Sequence, residues 1–146
     1  MAYVSDILRQ KNSDLVTSDA FLSVHDAVGV MNNRHVGAVL VMDADRDLLG
    51  IFTERDVLTR VVARDLSPRE TIVGEVMTVD VLCCREDTDL GEVAQIMKDR
   101  RIRHIPVRDR NLQILGMISI GDINAYHVSA KQATIDNMTD YIYGRS

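Results

Sequence analysis

Apolar residues recur along the chain in two rhythms, one helical and one strand-like, and the order of the rhythms occurs twice. Val4 to Arg9 reads as a short helical turn, with Ile7 and Leu8 apolar. Asn12-Ser13-Asp14 reads as a loop and Leu15-Val16-Thr17 as a short strand. Ser23 is placed to cap a helix, and Val24, Ala27, Val28 and Met31 follow at i, i+3, i+4 and i+7, the spacing of one helix face. Asn32-Asn33 reads as the end of that helix. Val36 to Met42 is a β-rich apolar run of the kind a buried strand shows. Asp43 to Asp47 reads as a turn and Leu48 to Phe52 as the returning strand of a hairpin. Thr53 then caps a second helix through Val57, Leu58, Val61 and Val62.

After a linker from Asp65 to Glu70, which contains Pro68, the order returns. Val76-Met77 is the turn, Val79 to Cys84 the short strand and Asp89 the cap. Leu90, Val93, Ala94 and Met97 repeat the helical spacing. Arg103 to Val107 and Ile114 to Ile118 make the hairpin, and Gly121 to about Ala130 the closing helix. A last segment, about Gln132 to Tyr143, carries Ile135, Met138 and Ile142 at helical spacing and has no counterpart in the first passage.

The repetition holds residue by residue. Gly50-Ile51-Phe52-Thr53-Glu54-Arg55-Asp56 returns 66 residues later as Gly116-Met117-Ile118-Ser119-Ile120-Gly121-Asp122. The register runs without a gap from Ala20/Glu86 to Leu58/Asn124, with Met31/Met97, Arg34/Arg100, Val41/Val107 and Leu49/Leu115 identical. Before Ala20 the offset is 69, pairing Val4 to Leu8 with Val73 to Met77. One supersecondary unit is used twice, and such units bury a face against each other. The expected organisation is a first copy over 1–65, a linker over 66–72, a second copy over 73–131 and a helical extension over 132–146.

Composition narrows the function. The chain has 146 residues, 16.4 kDa, a size that suits one domain. Aromatic residues are 4% with no Trp, so aliphatic and Met packing must dominate the core. A net charge of −5 argues against bulk nucleic-acid binding. No apolar run approaches the ~20 residues of a membrane span, and the N-terminus lacks a signal-peptide pattern. Cys83 and Cys84 are adjacent, which disfavours a bridge or a metal site, so a reduced cytoplasmic setting is expected.

Two constellations carry chemistry. Thr53-x-x-Asp56 and Ser119-x-x-Asp122 each have the form of a capping box, in which the hydroxyl accepts from a first-turn N–H and the carboxylate reaches back. Each also follows an apolar strand, so free N–H groups and the positive end of a helix dipole collect there, an arrangement that suits an anion. A carboxylate at that point can accept both hydroxyls of a ribose diol, and capping and ligand binding can coexist. The second constellation is basic: Lys98, Arg100, Arg101, Arg103, Arg108 and Arg110 stand against Asp99 and Asp109. It reads either as a solvated helix end or as a phosphate pocket, with Arg103 and His104 best aimed because they lead into the strand. His25, His35, His104 and His127 share no metal-ligand spacing. There is no Gly-rich phosphate loop, nucleophile elbow or HExxH motif. Asp56 and Asp122 are lone carboxylates rather than an acid–base pair, so no enzyme, catalytic residue or bound metal is expected.

The duplicated strand–helix–strand–strand–helix unit, closed each time by G-h-h-T/S-x-x-D, resembles the CBS domain, and two in tandem resemble a CBS pair, or Bateman module. His104-Ile105-Pro106-Val107 followed by Gly116 to Asp122 carries the likeness most closely; the first copy has Leu40 where the second has Pro106. With the tail Asp140-Tyr141-Ile142-Tyr143-Gly144 the chain looks like small stand-alone bacterial CBS-pair proteins. The resemblance implies an α/β (α+β) fold, each copy a small mixed sheet with two helices, the copies related by a pseudo-two-fold axis.

It also implies binding of adenosine compounds between the copies: AMP, or ADP, ATP or NAD(H), with no cofactor required. By carry-over Asp122 takes the ribose hydroxyls and Ser119 a phosphate oxygen, with Ile120 and Gly121 between them. Ile105 and Pro106 flank the adenine, and Arg103 and His104 approach the phosphates. In the first copy Asp56 and Thr53 take these roles, with Ala38 and Val39 beside the base. Arg55 stands where the second copy has Gly121 and reaches a phosphate or is simply surface. Similar modules form homodimers, so a cytoplasmic nucleotide sensor for signal transduction, homodimeric and acting on an unidentified protein partner, is expected. A rival expectation is a ligand-independent dimeric scaffold that uses the C-terminal helix.

Overall fold

The structure, a computed structural model, describes residues 2–11 and 15–142, with side chains of the last helix described to Thr139. The predicted loop at Asn12-Ser13-Asp14 and the tail residues 143–146 lie outside the described residues. Helix α1 (Val4–Gln10) is followed by strand β1 (Thr17–Ser18), helix α2 (Val24–Arg34), and strands β2 (Ala38–Met42) and β3 (Leu48–Thr53). Helix α3 (Glu54–Asp56) continues directly as a wider π-helical stretch, Val57–Val62. The second copy has α4 (Val73–Val76), β4 (Cys84–Arg85), α5 (Leu90–Arg100), β5 (His104–Arg108), β6 (Ile114–Ser119) and α6 (Ile120–Ile142).

Each copy holds a mixed three-stranded sheet: β1 parallel to β2 and β2 antiparallel to β3, then β4 parallel to β5 and β5 antiparallel to β6. The helix caps repeat as the sequence requires. The Ser23 hydroxyl accepts from the Asp26 N–H at 3.1 Å, and the Asp89 carboxylate from the Gly91 N–H at 2.7 Å. Helix α2 runs past Asn32-Asn33 to Arg34 and ends on His35 in the left-handed region, as α5 ends on Arg101.

Three expectations are corrected, two of them short strands. The expected strand Leu15 to Thr17 forms at Thr17–Ser18, and the expected strand Val79 to Cys84 shrinks to Cys84–Arg85. Both are two residues long, and the Leu40/Pro106 difference explains where the second begins. The Leu40 N–H donates to the Val16 carbonyl at 3.0 Å, and Thr17 pairs with Leu40. Pro106 has no N–H to donate, and the parallel pairing begins one residue later, at Cys84 opposite Val107. The closing helix and the expected C-terminal extension are one continuous helix, α6. Ser129 to Ala133 offers neither Gly nor Pro to break it, and the Gln132 amide donates to Asp136 one turn on at 2.9 Å.

The cores are interleaved. Val4 and Ile7 of α1 are buried with Leu90, Val93, Met97, Ile105, Val107 and Ile118 of the second copy. Val73 and Val76 of α4 are buried with Val24, Ala27, Met31, Val39 and Phe52 of the first. Each short helix is therefore held by the other copy. The backbone bonds mirror one another: Val4 N–H to Thr88 C=O at 2.9 Å and Val73 N–H to Leu22 C=O at 2.8 Å. The two sheets meet through Ala38, Leu40 and Ile51, packed with Ile114 and Met117. This reciprocal packing brings the strand ends and helix starts of the two copies to one region.

Candidate functional site

Strand β3 delivers Thr53 to the start of α3, and both halves of the capping box form. The Asp56 N–H donates to the Thr53 hydroxyl at 3.2 Å, and the Thr53 N–H to Asp56 Oδ2 at 3.0 Å. The other oxygen, Oδ1, accepts from the Thr78 hydroxyl at 3.1 Å and lies 3.6 Å from Arg60 Nε. Asp56 is 4% exposed, so a buried carboxylate is fully engaged by a backbone N–H, a hydroxyl and a guanidinium. Arg60, one turn along, also donates to the Met77 carbonyl at 2.9 Å, which ties this helix to the start of the second copy.

A cleft of about 470 Å³ opens over this carboxylate. Gly37, Thr53, Arg55, Asp56 and Thr59 come from the first copy; Thr78, Arg103 and His104 come from the second. Gly37 stands where the second copy has Arg103, so the cleft receives its arginine from across the interface. The His104 ring occupies the space a side chain at position 37 would fill: a Cβ there would lie 3.3 Å from the ring and 3.3 Å from the Glu54 carboxyl carbon. Burial holds the His104 imidazole below its ordinary value; Glu54 opposes this, Lys11 adds to it, Asp122 opposes it and Arg103 adds to it. The Arg55 guanidinium donates to the Arg101 carbonyl, again across the copies. Three arginines, Arg55, Arg60 and Arg103, thus face Glu54 and Asp56 around one opening.

The equivalent box at the second copy is closed by a different partner. The Asp122 N–H donates to the Ser119 hydroxyl at 3.0 Å and the Ser119 N–H to Asp122 Oδ2 at 2.9 Å. The same Oδ2 accepts from Lys11 Nζ at 2.8 Å, and that ammonium also donates to the Met117 carbonyl at 2.8 Å. Ile120 follows Ser119 into the helix, its N–H bonded to the Arg103 carbonyl at 2.9 Å, and Gly121 is exposed beside it.

The expected ligand residues therefore divide. Thr53, Arg55, Asp56, Arg103 and His104 line one cleft. Ala38, Val39 and Ile105 are fully buried and Pro106 is buried in its sheet, so in this state they present no open face to a base. Residues that the sequence reading missed are Glu54, Arg60, Thr78, Gly37 and Lys11. Arg60 had a signal, four residues beyond Asp56 on one helix; Lys11 had none, being 111 residues from its partner. Burial pushes the Cys84 thiol up to about 11, and Cys83 is also raised by burial, so both stay protonated and unreactive at neutral pH.

The CBS-domain family pattern matches residues 4–63 and 73–128, and the chain belongs to that family as a tandem CBS pair. It is 33% identical over 150 residues to the mitochondrial CBS domain-containing protein CBSX3 of Arabidopsis thaliana, covering 97% of this chain and 72% of that protein. The crystal structure of the CBS-domain containing protein ATU1752 from Agrobacterium tumefaciens is 35% identical, with a TM-score of 0.81 over 86% of this chain and 99% of that one. The CBS domain pair of MJ0100, solved with 5′-methylthioadenosine and S-adenosyl-L-methionine, shares the fold at 23% identity, with a TM-score of 0.78 over 89% of this chain and 98% of that one. Among the described residues no helix is long and apolar enough to cross a membrane.

Proposed function

We propose that this chain is an adenine-nucleotide-binding regulatory module, with AMP as the ligand its cleft suits best, working in a cytoplasmic homodimer that signals to a protein partner. The observation that carries the reading is the cleft over Asp56. It joins a carboxylate set to accept hydroxyls, the N-terminal end of a helix, and the cations Arg55 and Arg103 contributed by the two copies. The Thr78 hydroxyl already donates to Asp56 in the manner of a sugar hydroxyl, so a ribose replaces it like for like. Ribose at Asp56 directs a 5′-phosphate toward Arg103 and His104.

Because the lining comes from both copies, a ligand there alters how the copies pack. Such a ligand regulates to the extent that it binds one packing more tightly than another. Exposed Leu58 and Val62 on the first copy's helix, with Val128 on α6, offer apolar surface for a second chain.

The test is calorimetric titration of AMP, ATP and NADH into the wild type and Asp56→Ala. Saturable binding weakened roughly ten- to a hundredfold by the substitution is expected. No saturable binding of any of these below about millimolar would sink the reading.

A further inference from the structure

We infer that a second cavity, at the far end of the seam between the two sheets, binds a free α-amino acid, its ammonium held by Asp19 and Asp43 and its carboxylate by Arg46. The inference goes beyond the nucleotide reading and does not rest on it.

The seam has two ends. Ile51 lines the cleft over Asp56 at one, and Met42 and Ile114 line the second cavity at the other. Its volume is about 590 Å³, within the roughly 300–1,000 Å³ usual for small-molecule sites. Met42 and Ile114, partly buried where the sheets pack, give it an apolar wall together with Leu15. Gln113 and Ile114 come from the second copy and the rest of the lining from the first.

The charged groups carry the inference. Asp19 Oδ1 accepts from the Phe21 and Leu22 N–H groups at 2.8 and 3.0 Å. Asp43 Oδ1 accepts from the Asp45 and Asp47 N–H groups at 2.9 Å each. One oxygen of each carboxylate thus shapes a turn, and Oδ2 of each has no partner among the described residues. Arg46 lines the same cavity, yet among the described residues its guanidinium pairs with neither acid. Opposite charges that share an opening and stand apart suit a ligand that carries both. An α-amino acid brings an ammonium for the carboxylates, a carboxylate that a guanidinium grips bidentately, and a side chain for the apolar wall. A phosphate would face two carboxylates. A metal ion would lack ligands, since no three His, Cys, Asp or Glu side chains gather among the described residues.

The duplication does not impose this arrangement. The strand pairs Ser18/Val41 and Cys84/Val107 put Arg85 at the place of Asp19. Arg108 stands where the first copy has Met42, and Leu112 where it has Arg46. The matching end of the second copy therefore sets Arg85 beside Arg108 and has no separated pair. Asp43 does return, as Asp109, whose Oδ1 again accepts from turn N–H groups at 2.8 and 3.0 Å. The turn alone accounts for that acid; Asp19 and Arg46 are what the first copy adds. Leu112 also supplies a control. It and Arg46 both lie in the left-handed region, at φ 63° and 65°, so Arg46→Leu keeps a turn that the chain already builds with leucine.

The experiment is calorimetric titration of L-leucine and L-methionine into the full chain without nucleotide. Isocaproate, which is leucine without its ammonium, and isoamylamine, which is leucine without its carboxylate, are titrated alongside. At least one amino acid should bind saturably below about millimolar, and both analogues roughly tenfold or more weakly. Arg46→Leu and Asp19→Asn should each weaken the amino acid by roughly the same factor; the asparagine keeps the acceptor for Phe21 and Leu22. The methyl resonances of Met42 and Ile114 should shift on binding. No saturable binding below about millimolar, isoamylamine bound as tightly as leucine, or an affinity untouched by Arg46→Leu would overturn the inference. Binding that leaves the Met42 and Ile114 resonances in place would overturn it as well. None of these outcomes bears on the nucleotide reading, which the Asp56→Ala titration tests separately.

Discussion

The two T/S-x-x-D turns were built from one sequence pattern and differ in what the rest of the chain brings to them. At the first, the carboxylate is buried, meets a hydroxyl and an arginine, and faces a cleft lined from both copies. At the second, a lysine from the far end of the chain sits on the carboxylate. The backbone of the turns and hairpins is repeated: both capping boxes form, and both hairpins carry their irregularity at the same step, Val41/Met42 and Val107/Arg108. Duplication preserves what hydrogen bonding of the main chain demands. It leaves free the side chains that arrive from elsewhere, and at the two turns those differ.

The largest expected contrast is between the two aspartates. Asp56→Ala strands a buried N–H, the Thr78 hydroxyl and Arg60 together, and should cost about 3 kcal/mol in denaturant unfolding. Asp122→Ala breaks a capping box and an ion pair that is partly exposed, and should cost about 1.5 kcal/mol. Equal losses would mean that the two carboxylates are structurally alike.

The glycines at the matching strand positions sharpen the contrast. A Cβ on Gly50 would lie 2.6 Å from the Thr78 carbonyl oxygen, which is fixed by its bond from the Ile51 N–H at 2.9 Å. A Cβ on Gly116 would meet only Leu8 Cδ2, at 2.8 Å, the end of a side chain that can rotate. Gly50→Ala should therefore cost about 1–3 kcal/mol and weaken nucleotide binding by shifting Thr78, whereas Gly116→Ala should cost less than about 1 kcal/mol. Unfolding midpoints that rank them the other way would refute this.

The smallest effect is a pH dependence at the residue between the turns. Burial lowers the folded-state value of His104 below its ordinary 6.5, against the pull of Glu54 and Asp122 and with the push of Lys11 and Arg103. The unfolded chain then takes up the proton first as pH falls. The contribution is present above about pH 6.5 and is lost as pH drops through the lower folded value. Melting temperatures followed from about pH 7 to pH 5 should fall more steeply in the wild type than in His104→Gln. Parallel slopes would show that His104 does not titrate in this range.

Much of this was legible in the chain. The spacing Val24, Ala27, Met31 and its repeat Leu90, Val93, Met97 named the buried faces of α2 and α5, since a helix can hide only residues that recur each turn. The capping boxes were legible because they are bonds between residues three apart. The wide π-helical stretch at Val57–Val62 was not, and it leaves Leu58 and Val62 exposed where the apolar spacing suggested a core. The one-residue shift of β4 along its neighbour, relative to β1, traces to a proline on that neighbouring strand, whereas β1 and β4 are equally short.

The sequence alone determined the unit, its duplication, its caps and the pair of carboxylates, because those depend on local hydrogen bonding and on the period of apolar residues. The tertiary structure decided the rest. It passed α1 and α4 to opposite cores, carried Arg103 and His104 to the first copy's cleft, and set Lys11 against Asp122. Contacts between residues 46, 106 or 111 positions apart follow from how two units close on each other. No local period along the chain encodes that closure.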